Sequence, residues 1–169
     1  MCALKSGINR GEDMTLYETL CAELAQQEVG VYEVSLLPKI KGLYCDKIIW
    51  LNRNIETERE KACTLAEEQA HYLTSVGDIL DQHKVRNRKQ ERLARRMAYE
   101  KLIPLQSFVG ASREGIRSRY EFAEYMDVTE GFLEDALAYY KEKYGPRVEL
   151  ANYLICFEPL EVIELFDER

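Results

Sequence analysis

Two glutamates and a histidine fall together in the stretch Thr64-Leu65-Ala66-Glu67-Glu68-Gln69-Ala70-His71-Tyr72-Leu73. On a helix, Glu67 and His71 are four apart and project from one face, and Glu68 sits about 100° around from Glu67 at the edge of that face. This is the layout of the H-E-x-x-H pattern, in which two side chains ligate zinc and the acid between them acts as general base. Here the first position is Glu67 instead of histidine. A solvated helix face carrying a chance histidine is the plainer reading of these residues alone, because Glu and Gln are good helix formers.

A zinc hydrolase needs three protein ligands, one open position for water, and a base. The chain has two histidines, His71 and His83, so any such site must lean on carboxylates. Glu91 is the obvious third ligand, because Glu91, Ala94, Ala98 and Leu102 share one helix face and the alanines point that face at the core. A buried acid needs a cation, a hydrogen bond or water. Glu68 is then left as base. Asp78 is a weaker candidate, as a further ligand or a support to the ligands, and His83 in the polar connection is weaker still. An ion pair with a neighbouring arginine is the competing role for Glu91, and the one favoured if that residue is taken by itself.

The elements that must position these groups follow from periodicity. Residues 1–13 read as a flexible polar leader. Thr15-x-x-Glu18 is a capping box, and Leu16, Leu20 and Leu24 predict a helix to about Gln27, ended by Gly30. Val31–Val34 alternates as a strand, Pro38 and Gly42 punctuate the connection, and residues 43–45 and 48–51 flank Asp46-Lys47 as a hairpin. Thr57-x-x-Glu60 caps the helix carrying Glu67 to His71, with Ala62, Leu65, Ala66, Ala70 and Leu73 turned inward and Gly77 closing it. A second helix runs from the basic stretch Lys84–Arg96, read as a solvated face or a contact for an acidic partner, and stops at Pro104. Beyond it, Ser118-x-x-Glu121 and Thr129 cap two short helices joined at Asp127-Val128, like a helix-turn-helix. Their outer face carries Glu121, Glu124, Glu130, Glu134 and Asp135, which suits docking of protein better than of DNA phosphate. Residues 148–157 and 160–166 read as a C-terminal strand pair.

Composition narrows the class. A chain of 169 residues with 46% hydrophobic and 31% charged residues is an ordinary globular mix that can bury a core. The net charge of −7 disfavours broad nucleic-acid or membrane-surface binding. Five scattered cysteines without a C-x-x-C indicate neither a disulfide framework nor a cysteine zinc site. No apolar run approaches a membrane span and no apolar signal segment leads the chain, so a cytoplasmic location is expected. There is no Gly-rich phosphate loop and no G-x-S-x-G.

Ala66–His71, followed by Glu91-x-x-Ala94-x-x-Met97-Ala98-x-x-x-Leu102-Ile103-Pro104, resembles the two signature blocks of the ImmA/IrrE family of metallopeptidases. Asn87–Glu91 with Tyr99–Leu102 resembles its branch in phages and integrative elements, and the likeness spans most of residues 14–165. It implies an α+β fold: zincin-like helices on a small sheet of about three strands over 14–104, a helix-turn-helix-like module over 105–145, and C-terminal strands over 146–169 packing back on the domain. It also implies roles. Glu67 stands at the first metal-ligating His, Glu68 at the catalytic acid, His71 at the second ligating His and Glu91 at the acidic ligand. With two carboxylates and one imidazole, the site should hold Zn2+ less tightly and admit Mn2+ or another divalent ion more readily. The implied substrate is a protein, a helix-turn-helix transcriptional repressor of a phage or mobile element. The rival expectations are a non-catalytic anti-repressor or toxin-like protein that binds the repressor through a degenerate site, and a DNA-binding regulator.

Overall fold

Thr15 opens the first helix as expected: its hydroxyl accepts from the Glu18 amide at 3.2 Å while the Glu18 carboxylate accepts from the Thr15 amide at 2.8 Å. The structure is a computed structural model and describes residues 14–74 and 88–165. Residues 1–13, Gly77, Asp78, His83, residues 84–87 and the last four residues lie outside that range. The chain divides into two compact units, Arg10–Leu102 and a second containing Ile103–Arg169.

In the first unit α1 (Leu16–Gln26) buries Leu16, Leu20 and Leu24. It does not end on Gly30. Glu28 takes the left-handed conformation at φ 60°, and Gly30 begins strand β1 (Gly30–Val34), where an added Cβ would stand 2.8 Å from the Tyr32 ring. Strands β2 (Gly42–Cys45) and β3 (Ile48–Asn52) form the expected hairpin, turned by Asp46 and Lys47, both at positive φ. The sheet order is β1-β3-β2, with β1 parallel and β2 antiparallel to the central strand. Asn52 organises the connection between β1 and β2. It is buried, and its amide nitrogen lies within 3.4 Å of the Leu36, Leu37 and Ile40 carbonyls.

Helix α2 (Glu58–Thr74) packs on this sheet with Ala62, Leu65, Ala66 and Ala70 buried. Leu73 departs from the expected inward set and is 49% exposed. Helix α3 (Arg88–Leu102) lies against α2 and buries Ala94, Ala98 and Leu102. The face of α3 carrying Glu91 is thus turned as the spacing requires.

Pro104 ends α3 and is itself the N-cap of a helix not anticipated from sequence, α4 (Leu105–Arg113). A proline tolerates the first turn of a helix because its missing N–H would have no partner there. Helices α5 (Arg119–Met126) and α6 (Glu130–Tyr144) follow, capped by Ser118 and Thr129 and turned by Asp127 in the left-handed region. The five acidic residues expected outward are all exposed.

The C-terminal strand pair is a three-stranded antiparallel sheet: β4 (Arg147–Leu150), β5 (Tyr153–Phe157) and β6 (Leu160–Glu164), in that order. The long run 148–157 folds on itself at Ala151, whose φ is 53°. That turn explains the mixed alternation of the run: each arm alternates, out of phase with the other. The core of this unit is aromatic. Phe108 stacks on Phe122 at 4.7 Å, Tyr140 stacks on Phe157 at 5.8 Å, and the Tyr140 hydroxyl donates to the Ile103 carbonyl at 2.7 Å. No described helix is long and apolar enough to cross a membrane.

Candidate active site

Helix α2 carries three of the candidate groups and α3 the fourth, all within the first unit. His71 and Glu68 are buried, at 7% and 5% exposure, although both are polar. Burial on this scale is uncommon for a glutamate and needs compensation. Packing shows how Glu68 is accommodated. Gly42 on β2 faces it, and an added Cβ there would stand 2.6 Å from Glu68 Cγ, 2.9 Å from Oε1 and 3.0 Å from the Thr64 methyl. Gly42 therefore lies within a strand for a steric reason, and not in the connection ahead of it. One turn on, Tyr44 and Tyr72 pack with ring centroids 5.3 Å apart, so β2 is held along α2 at two points.

Glu91 is the group that reaches across. Its Oε2 lies 3.3 Å from His71 Nε2, and its Oε1 accepts from Arg95 Nε at 3.2 Å. Oε2 is shielded from solvent, and its approach to the imidazole lacks hydrogen-bond geometry. The arginine ion pair weighed for Glu91 is present, and the other oxygen of the same carboxylate is turned to the histidine.

Glu67 is half-buried on α2, one turn before His71. Burial pulls the Arg95 guanidinium's pKa down, but the negative charges of Glu67 and then Glu91 outweigh this and hold it above the usual arginine value. Arg95 therefore lies in the field of both carboxylates. The sequence places a neighbouring arginine beside Glu91 without saying which one, and Arg95 lies in the basic run. Its i,i+4 spacing from Glu91 was the available signal. Nothing local in the sequence marks Gly42 as a glycine that makes room for a side chain on another element.

Imidazole and carboxylate are donors that divalent ions accept, and His71 and Glu91 bring one of each to within 3.3 Å. A third donor is not drawn in: among the described residues, no group of three or more His, Cys, Asp or Glu is placed to hold a metal ion.

The family model for the IrrE N-terminal-like domain, Peptidase_M78, matches residues 24–138. That span is well over half of the chain, and the chain belongs to this peptidase family. The α+β, zincin-like fold described above is the fold expected of it. A search of curated proteins returned no match.

Proposed function

We propose that this protein is a metal-dependent endopeptidase acting on a partner protein, with the meeting of His71 and Glu91 across α2 and α3 as the observation that supports it. His71 and Glu91 would hold the ion, with Glu67 as third ligand. Bound there, a divalent ion supplies polarisation of water and of the scissile carbonyl. The remaining work falls to the chain. Glu68, walled by Gly42 and Thr64, holds its carboxylate in one place and takes the proton of the attacking water, then returns it to the departing amine. Strand β2 is an edge of its sheet and runs along α2 beside Glu68. An extended substrate segment pairs with that edge by backbone hydrogen bonds, which aligns its carbonyls without demanding a particular sequence.

The substrate in this reading is a helix-turn-helix repressor of a phage or mobile element. The exposed acids on α5 and α6 attract its basic DNA-binding surface, which favours encounter and orientation over raw affinity. The test is cleavage of a candidate repressor by the wild type and by Glu68→Gln, with added Zn2+ or Mn2+. Metal-stimulated cleavage lost in Glu68→Gln supports the reading; cleavage indifferent to that change removes Glu68 as base.

A second reading is favoured by the pairing of Glu91 with Arg95: a non-catalytic protein that binds the repressor and has lost robust metal chemistry. Stoichiometric partner binding, with neither cleavage nor metal uptake, supports it.

A further inference from the structure

Arg95 stands where a cation is needed. Its Nε is 3.2 Å from Glu91 Oε1, on the carboxylate whose other oxygen faces His71 at 3.3 Å.

We propose that Arg95 is a resident counter-ion that competes with the divalent ion for the Glu91 carboxylate, and so holds metal affinity low. This rests on the metallopeptidase reading of the site. The physical reason is electrostatic. A guanidinium cannot shed its charge, and it forms directional bonds to carboxylate oxygens. An ion arriving between His71 and Glu91 meets a fixed like charge a few ångströms away, and the carboxylate it needs is already engaged. For Glu91 to give both oxygens to the ion, Arg95 must swing outward. Its side chain is 50% exposed, so solvent can take it. The arginine then acts as a gate on loading, released when metal concentration is high or when a bound partner offers the guanidinium another anion.

The experiment is Co2+ binding, followed by visible absorbance and by calorimetry, on the wild type, Arg95→Gln, Arg95→Lys and His71→Ala. Arg95→Gln removes the charge from a half-exposed position and should bind Co2+ about tenfold more tightly or better, the scale expected when one like charge near the ion is removed. Arg95→Lys keeps the charge and should stay close to the wild type. Folding of each variant is checked by circular dichroism. Equal affinity of Arg95→Gln and wild type, with weaker binding by His71→Ala, overturns the counter-ion proposal and leaves the metal site standing. Absence of binding in all four chains, or binding indifferent to His71→Ala, overturns the site reading itself and this proposal with it.

Discussion

Gly42 on β2 and Glu68 on α2 are packed so closely that a single added methyl at position 42 would meet Glu68 Cγ at 2.6 Å and its Oε1 at 2.9 Å. The strand and the carboxylate are therefore fitted to each other, and the position of the proposed base is set by a residue on another element. Gly42→Ala should push the Glu68 carboxylate off its position. Overpacking of this kind costs about 1–3 kcal/mol, which a thermal melt will register, and cleavage should fall by about one to two orders of magnitude, as expected for a displaced base. Full activity in a folded Gly42→Ala chain would show that Glu68 is free to move, against the mechanism.

Asn52 is 3% exposed and offers its amide nitrogen to the carbonyls of Leu36, Leu37 and Ile40, while its oxygen accepts from the Asn54 amide at 3.2 Å. Asn52→Leu preserves volume but leaves these backbone groups without their partner. A loss of about 2–3 kcal/mol is expected in chemical denaturation, more than one ordinary hydrogen bond is worth, because orphaned buried groups carry the full desolvation penalty. A change under half of that would mean the loop relaxes to solvent.

Gln69 lies between the proposed base and His71 in sequence, yet its side chain is buried at 3% exposure and its Oε1 has no hydrogen-bond partner. A buried acceptor without a donor weakens the fold. Gln69→Leu should be neutral or stabilising, by up to about 1 kcal/mol. Destabilisation on thermal unfolding would reveal a polar partner that the amide serves.

Lys61 sits 2.9 and 2.8 Å from the two Glu33 oxygens, and the Tyr17 hydroxyl donates to Oε1 at 3.0 Å, so α1, β1 and α2 are tied at one point. The hydrogen bonds from Lys61, helped by Tyr17 and opposed by burial, hold the Glu33 carboxyl below the usual carboxylate range. A depressed folded value means that this pair adds stability above the unfolded pKa of about 4.3. That stability is lost as pH falls through the lower folded value. Glu33 is 36% exposed, so solvent screening keeps the contribution under about 1 kcal/mol. Lys61→Met should melt below the wild type at pH 7, and the gap should narrow below pH ~4. A gap that is unchanged with pH would assign the loss to the Lys61 ammonium lying 5.8 Å over the Tyr17 ring.

Much of the scaffold was legible because it is written in local chemistry. The capping boxes at Thr15 and Ser118 set helix starts, the leucine spacing of α1 set its buried face, and Asp46-Lys47 supplied the hairpin turn. The alanine stripe of α3 likewise turned Glu91 toward α2, since a helical period is enough to say which residues share a face. Helix α4 escaped notice because its start signal is Pro104, which equally reads as the end of the helix before it. The final strand pair became three strands because Ala151, with no turn-forming side chain, takes a left-handed conformation that its type does not announce.

By itself the sequence determined which residues share each helix face, and so which acids could meet His71. Tertiary structure decided the partners that lie on other elements. Glu91 turns one oxygen to His71 across the helix pair, and Glu68 packs against a glycine 26 positions earlier in the chain. Periodicity is a property of one element, whereas a carboxylate's partner depends on distances between elements, and those come from how sheet and helices pack. Whether the anions beside His71 face a metal or a guanidinium is a contest of this second kind, decided over a few ångströms.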